Sequence, residues 1–154
     1  MIKLIVAVDS KNGIANESGI PWDLPIEKKY YREKILSADI LMGAGVYREL
    51  RLPANSHGNY VLTHQDINKP GFTKVTDLGD FFSNHKDVWV IGGQKIYEQT
   101  LMYADEIYIT KINKDFGCTK FFPKFNDLFI LASKSTPIND QGIEFIYETY
   151  KKSK

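Results

Sequence analysis

Three short, mostly apolar segments rich in β-branched residues do most to limit how this chain can fold. They lie at Leu4–Val8, Asp39–Met42 and Val88–Ile91, and each leads into a loop or a glycine turn that is followed by a helical segment. Apolar strands without polar alternation are typical of a parallel sheet that is covered on both faces. The repeated order of strand, loop and helix therefore predicts an α/β domain with a mostly parallel central sheet and flanking helices.

The last third of the chain follows a different pattern. Strands are predicted at Glu106–Ile112, Phe129–Ser133 and Glu144–Tyr150 without helices between them, which favours an antiparallel edge strand at the C-terminal end of the sheet. Two further strands are predicted at Asn59–Thr63 and Thr73–Val75. The predicted helices are Pro25–Leu36, a short helix that runs through Tyr47 to Leu50, Asp77–Asn84 and Gln94–Leu101. With 154 residues, 43% of them hydrophobic, and no repeat or linker, the chain is expected to form one domain over residues 1–154.

Charge and composition argue against several classes of protein. The formal net charge of +1 gives no electrostatic reason to expect a nucleic-acid or membrane partner. Cys118 is the only cysteine, so no intrachain disulfide or cysteine-based zinc site can form, and no metal site is expected. No segment approaches the roughly 20 apolar residues of a membrane-spanning helix. A cytoplasmic protein, monomeric by default, is the expectation.

Ligands of a parallel sheet bind beyond the carboxyl ends of its strands. Three segments are expected at that edge, namely Asp9–Glu27, Gly43–Val46 and Gly92–Lys95. In the last two, glycines open a helix, so a ligand's phosphates could approach backbone N–H groups that the helix terminus polarises. Either turn alone could also be an ordinary tight connection. Neither matches the GxGxxG fingerprint or a P-loop.

Glu27 is the carboxylate of greatest interest. It lies one turn inside the first predicted helix, on the same face as Leu24, Tyr31 and Ile35. An acid in a first turn is favoured by the helix dipole and needs no catalytic role. A half-buried carboxylate on an apolar face could instead bind an amidine-like edge of a ligand and have a raised pKa. Asp23 fits a helix cap or an exposed loop better.

Taken together, these stretches resemble the dihydrofolate reductase family. The resemblance rests on the segments LIVAVD, GIPWDLPIE, the strand end Met42-Gly43, NYVLT, VIGGQKIYEQTL and EIYITKI. It implies a three-layer fold and the NADPH-dependent reduction of 7,8-dihydrofolate to 5,6,7,8-tetrahydrofolate for one-carbon and thymidylate metabolism. In that reaction hydride passes to C6 of the pterin while N5 gains a proton.

The resemblance also implies roles for individual residues. Glu27 would bind the amino group and ring N–H of the pterin, Thr110 would hydrogen-bond that carboxylate, Trp22 would line the mobile loop, and Tyr97 would lie near the nicotinamide. The implied substrate-binding residues are Val6, Ala7, Glu27, Tyr31, Arg32, Leu50, His57, Ile91 and Thr110. The implied cofactor-binding residues are Ala7, Ile14, Gly43, Ala44, Gly45, Val46, Thr63, His64, Gly92, Gly93, Gln94, Lys95 and Ile96.

Two departures from the family pattern affect ligand binding. His57 stands where the family has an arginine that grips the folate glutamate; Arg32 and Arg51 are alternative partners. Histidine lacks the planar fork and the permanent charge of arginine. In the cofactor segment, Ala44 and Val46 replace an arginine and a threonine. NADPH is still expected through Thr63, His64 and Lys95, with weaker discrimination against NADH.

A third departure is Cys118, where many family members have an aspartate that holds the active-site loop closed. Loop closure is therefore expected to be less populated. Two alternatives to a dihydrofolate reductase stay open. One is a reductase of another heterocycle, similar to the pyrimidine reductase of riboflavin synthesis. The other is a non-catalytic binding protein on the same fold.

Overall fold

The computed structural model, which describes residues 1–153, is organised around one nine-stranded sheet. The strands are β1 (Ile2–Val8), β2 (Gly13–Ala15), β3 (Asp39–Gly43), β4 (Asn59–Leu62), β5 (Thr73–Val75), β6 (Val88–Val90), β7 (Glu106–Ile112), β8 (Lys120–Phe121), β9 (Phe129–Lys134), β10 (Ile138–Asp140) and β11 (Ile143–Lys152). The helices are α1 (Pro25–Ile35), α2 (Ala44–Glu49), α3 (Leu78–Asn84) and α4 (Gln94–Thr100), and a 3-10 turn covers Leu101–Tyr103.

The central part of the sheet is parallel, as its apolar strands predict. β1 lies between β6 and β7, and β3, β4 and β5 follow β6 in that order, with every neighbouring pair parallel. Side chains of β1 alternate between two hydrophobic clusters. Leu4 and Val6 pack in a cluster with α3 and α4, whereas Ile5 packs in another with α1 and α2. Helices therefore cover both faces of the parallel part.

The C-terminal part of the sheet is antiparallel, which confirms the prediction from the late strands. β11 pairs with β7 on one side and with β9 and β10 on the other. The last strand is thus paired on both sides, and the outer positions are taken by β9 and β10. Residues 138–140 were not predicted as a strand because three residues show too little alternation to be recognised.

A second small sheet lies in a segment that was predicted to be only a loop. β2 pairs with β8 in an antiparallel, irregular bridge. Both strands are two or three residues long and owe their conformation to each other, more than a hundred positions apart, so local sequence does not reveal them. The predicted bounds of the other strands and helices differ from the structure by at most a few residues. Within residues 1–153, no helix is long and apolar enough to cross a membrane.

Candidate active site

The two glycine turns meet at the carboxyl edge of the parallel strands. The amide of Gly43, at the end of β3, donates to the carbonyl of Gly92, just after β6, at 2.8 Å. A Cβ at position 43 would lie 3.5 Å from that carbonyl oxygen. Gly92 has a φ of +125°, a conformation open to glycine but rarely to other residues. The peptide bond between Gly92 and Gly93 is cis. The sheet therefore brings the two predicted cofactor segments into contact.

Glu27 is buried, as its place on the apolar face of α1 predicts. Pro25 occupies the first turn of the helix, which positions Glu27 over the sheet. The side chain is 8% exposed, and the hydroxyl of Thr110 on β7 donates to its Oε1 at 3.4 Å. Asp23, the neighbouring acid, is instead exposed and pairs with Lys28. The structure thus brings Glu27 and Thr110 together across 83 positions of sequence.

Burial changes the acidity of Glu27. It raises the pKa of this carboxyl above the ordinary value of 4.5, although the hydrogen bond from Thr110 and the charge of Lys28 oppose the rise. A carboxyl with a raised pKa can hold a proton nearer to neutrality than an exposed one. The site can therefore offer an acceptor for an N–H donor or a source of acidity close to a bound ligand.

Trp22 and Tyr97, the two aromatic residues expected to act at the site together with Glu27 and Thr110, belong to different hydrophobic clusters. Trp22 is buried in a cluster with Leu24, and its ring centroid is 5.2 Å from that of Phe116. Tyr97 on α4 is buried, and its hydroxyl donates to the carbonyl of Ile5 at 2.6 Å. The Tyr97 hydroxyl is therefore already paired with the backbone of β1.

The implied substrate-binding residues divide between the two faces of the sheet. Tyr31, Leu50 and Ile91 contact the cluster that α1 and α2 cover, whereas Val6 packs in the cluster on the opposite face. Ile5 was not predicted for the site, yet its side chain shares the cluster of Tyr31 and Ile91. Strand alternation is the signal that could have indicated that Ile5, and not Val6, shares the face of Tyr31 and Ile91.

The possible partners of a folate carboxylate are all exposed. His57, Arg32 and Arg51 lie at the surface. The backbone of His57 is tied into the loop before β4, because its amide donates to Asn55 and its carbonyl accepts from the buried Asn59. This arrangement holds the backbone of His57 and leaves its imidazole at the surface.

The cofactor-binding candidates extend from the glycine contact to an open cavity. Ile14 and Ile96 are buried in the core, Ala7 is half-buried, and the Gln94 side chain accepts from the amide of Phe121. A cavity of about 470 Å³ adjoins the end of β4 and contains two of the predicted residues. Its lining comprises Leu62, Thr63, His64, Thr76, Asp77, Leu78, Gly79, Gln99 and Tyr103. Lys95 is exposed and does not line it.

Sequence reasoning missed Thr76 and Asp77 in this cavity. They directly follow β5, whose carboxyl end lies on the same edge as those of β3 and β4. Polar residues after a predicted parallel strand were the available signal. Asp77 also caps α3, since its side chain accepts from the amide of Asp80.

Asp9 links the two loops that flank Trp22. Its buried carboxylate accepts from the amides of Lys11, Gly13 and Phe116 at 2.8–3.0 Å. Burial by itself would raise the pKa of Asp9, but these hydrogen bonds and one from Cys118 outweigh it, so the pKa is lowered. Sequence reasoning did not single out Asp9, because its partners in the second loop are more than a hundred residues away.

Cys118 packs against the first of these loops. A Cβ on Gly13 would lie 2.3 Å from the Cβ of Cys118, so only glycine permits this approach. Burial, followed by the effect of Asp9, raises the pKa of the Cys118 thiol to about 11. The thiol is therefore protonated at neutral pH and is not an activated nucleophile. Next to it, Thr119 donates to Glu17 and to the carbonyl of Ala15.

The raised pKa of Glu27 predicts how Glu27→Gln changes stability. A carboxyl whose pKa is higher in the folded state lowers stability as pH rises from the unfolded pKa to the folded one. We therefore expect Glu27→Gln to be more stable than the wild type at pH 8. The gain in the free energy of unfolding is about 1.4 kcal/mol for each unit by which the pKa of Glu27 in the folded state exceeds that in the unfolded state, and it vanishes below about pH 4. Urea denaturation at several pH values measures it.

Glu33→Gln is the matched control, because Glu33 lies on the same helix and is exposed beside Lys29. It should change stability little and without this pH dependence. A wild type as stable as Glu27→Gln at pH 8 would contradict the buried, raised-pKa state of Glu27.

A family model and several relatives point to one family. A family model described as dihydrofolate reductase matches residues 1–152. The dihydrofolate reductase of Bacillus subtilis (strain 168) is 30% identical over 153 residues, covering 96% of this chain and 91% of that protein. That of Staphylococcus aureus (strain N315) is 27% identical over 144 residues, covering 92% and 91%.

A solved structure supports the same assignment at the level of the fold. It is the structure of a dihydrofolate reductase from Enterococcus faecalis complexed with NADP(H) and RAB-propyl. It superposes with a TM-score of 0.87, covering 100% of this chain and 97% of that one at 24% identity. The predicted α/β fold is thereby confirmed. The chain belongs to the dihydrofolate reductase family.

Proposed function

We propose that the protein reduces 7,8-dihydrofolate to 5,6,7,8-tetrahydrofolate with NADPH, adding hydride to C6 and a proton to N5. The observation that carries this proposal is the buried Glu27, bonded to Thr110 at the edge where the two glycine turns meet. A monomeric cytoplasmic enzyme serving one-carbon metabolism follows as part of the proposal.

Glu27 binds and orients the pterin in this proposal. A carboxylate has two acceptor oxygens, which match the amino group and adjacent ring N–H of a pterin as a pair of hydrogen bonds. Thr110 holds Oε1, and Tyr31 and Ile91 supply apolar surface on the α1 face of the sheet. Because burial raises the pKa of Glu27, the residue favours the protonation of N5, with water as the immediate donor.

The residues at the glycine contact fit a dinucleotide. The first turns of α2 and α4 have no side-chain caps, so their backbone N–H groups remain available to phosphate oxygens. A Cβ at Gly93 would meet nothing within 4 Å, which leaves room for a ligand close to the backbone. A bound NADPH supplies the hydride. Gly43, Gly45, Gly92 and Gly93 would hold it, with Thr63 and His64 toward its 2′-phosphate.

Cofactor preference depends on a small number of charges. Ala44 and Val46 offer neither a cation nor a hydroxyl, and Asp77 adds a carboxylate to the cavity that Thr63 and His64 line. A 2′-phosphate gains most from a permanent cation. We therefore propose that NADPH is used but preferred over NADH by a smaller margin than a cation at position 44 would give.

The first test is oxidation of reduced nicotinamide in the presence of dihydrofolate, followed by absorbance. We expect steady oxidation that requires dihydrofolate, and a loss of about a hundredfold or more in turnover at pH 7 in Glu27→Gln, because the proton-transfer environment is removed. Glu33→Gln should retain wild-type turnover. Cofactor binding without oxidation would instead favour the reductase of another heterocycle, and no binding would favour a non-catalytic protein.

Ala44→Arg tests the cofactor proposal. The added cation should lower the Michaelis constant for NADPH about tenfold, since charge-assisted hydrogen bonds to phosphate contribute roughly 1.5–3 kcal/mol. The constant for NADH should not change. Ala44→Gln introduces a long polar side chain without charge and should have little effect. Equal effects on both cofactors would place the 2′-phosphate away from position 44.

His57→Arg tests the folate glutamate subsite. Because the position is exposed, we expect a fall in the Michaelis constant for dihydrofolate of only about two- to fivefold. His57→Gln is the uncharged control. If His57→Arg leaves the constant unchanged, Arg32→Gln and Arg51→Gln identify which other side chain binds the carboxylate.

A further inference from the structure

Tyr147 lies beside Glu27 but has no part in the mechanism described so far. It stands directly opposite Thr110 in the antiparallel pair of β11 and β7, and opposed residues place their side chains on the same face of a sheet. From the helix side, Tyr30 stacks on Tyr147 with ring centroids 3.8 Å apart and planes at 19°. Tyr30 follows Glu27 by three residues, so both lie on the same side of α1.

The hydroxyl of Tyr147 is buried without a hydrogen-bond partner. It is the single such side-chain atom in the part of the chain that the structure describes. Several other tyrosine hydroxyls are paired, including that of Tyr97 with the carbonyl of Ile5 and that of Tyr150 with the carboxylate of Glu148. A buried hydroxyl is unfavourable unless it is hydrogen-bonded. The phenol of Tyr147 therefore requires a partner that the described residues do not supply.

Glu27 has acceptor capacity to spare. Among residues 1–153 its carboxylate accepts a hydrogen bond from Thr110 only, and that bond is long at 3.4 Å. Burial and then the charge of Glu27 raise the pKa of Tyr147 to about 12, so the phenol is close enough to feel the carboxylate and remains a protonated donor. The two groups are not within direct hydrogen-bond distance.

Other groups also act on Glu27 from the elements around it. Lys28 adjoins it on α1 and opposes its protonation. Asp23 lies nearby and pairs with Lys28. The other titratable groups around Glu27 and Tyr147 are the phenols of Tyr30 and Tyr31 on α1, Tyr97 on α4 and Tyr108 on β7. Each of these phenols has a raised pKa. None of them changes charge near neutral pH, and Glu27 is the carboxyl among these groups whose pKa burial raises.

We propose that Tyr147 is a positioning residue for Glu27. The Tyr147 hydroxyl donates a hydrogen bond to a water molecule, and this water molecule donates one to the Glu27 carboxylate. The bridge stabilises the ionised form and so limits the rise in the pKa of Glu27 that burial imposes. It also restrains the carboxylate toward the ligand side. Its catalytic consequence rests on the proposed function, but the bridge itself can be tested without turnover.

Tyr147→Phe removes the hydroxyl and keeps the ring that stacks on Tyr30. Loss of a hydrogen bond to the ionised form should raise the pKa of Glu27 by about half to one unit. The measurement is an NMR titration of ¹³C-labelled glutamate carboxyls in the free protein, with the Glu27 signal assigned by its loss in Glu27→Gln. An unchanged Glu27 titration in a folded Tyr147→Phe would overturn the proposal.

Tyr150→Phe is the matched control. It removes a hydroxyl from the same strand, but one that bonds to Glu148, so the Glu27 titration should stay at its wild-type position. An equal shift in both variants would indicate a general change in β11 and would also overturn the proposal. In the turnover assay, the fall in rate with rising pH should move upward in Tyr147→Phe by the same amount as the NMR titration.

A measurement on the wild type removes any dependence on the folding of Tyr147→Phe. With ¹³C-labelled tyrosine Cζ, the Tyr147 signal should follow the titration of Glu27 and lose that inflection in Glu27→Gln. A Tyr147 signal that does not respond excludes the bridge. If the coupling is present but dihydrofolate is not reduced, the proposed function fails while the inference about Tyr147 stands.

Discussion

A carboxylate buried on an apolar helix face is the constraint around which this molecule is arranged. Glu27 can be kept there only if other groups compensate for lost hydration. Thr110 provides one hydrogen bond, and Lys28 adds an opposite charge from the exposed side of the helix. The raised pKa shows that this compensation is incomplete. In the proposed function, a ligand with paired N–H donors supplies the partner that the free protein lacks at Glu27.

The parallel sheet supplies the second half of the site. Because β1, β3 and β6 run side by side in the same direction, the turns that leave them emerge at one edge. Gly43 and Gly92 allow their backbones to touch there. In the proposed function, side chains larger than hydrogen at these turns would fill the space that a diphosphate needs. Ala44 and Val46 add no charge to this edge, so the proposal assigns most of the binding to the backbone.

The loops around Trp22 are linked mainly by hydrogen bonds that residues other than Cys118 make. The carboxylate of Asp9 accepts hydrogen bonds from amides in both loops, and Thr119 donates hydrogen bonds to Glu17 and to the carbonyl of Ala15. A carboxylate that accepts several N–H groups is a strong loop anchor. Cys118 instead contributes close packing against Gly13. The effect of Cys118 on loop closure stays a prediction, but the loops have other polar links between them.

Much of the fold and part of the site could be predicted from the sequence. Apolar runs such as Leu4–Val8 predicted parallel strands, and the spacing of Leu24, Glu27 and Tyr31 predicted a carboxylate on the buried face of a helix. Both signals could be recognised because they depend only on residues that are close in sequence. The short strands β2, β8 and β10 were missed because two or three residues carry no period. Adjacent strand residues such as Ile5 and Val6 differ in the face to which they point, and the structure shows that Ile5 is the one that shares the cluster of Tyr31 and Ile91.

The strand and helix order, the apolar face that carries Glu27 and the glycines at two turns follow from local backbone and hydrophobic preferences, so they can be predicted from the amino-acid sequence. The folded structure is needed to show that Thr110 contacts Glu27, that Asp9 joins two distant loops and that the hydroxyl of Tyr147 is buried and unpaired. Those contacts join residues that lie 83 or more positions apart, or are defined by the absence of a partner. The spacing of residues in the sequence reveals neither a distant contact nor a missing partner, because both arise only when the strands and α1 pack together.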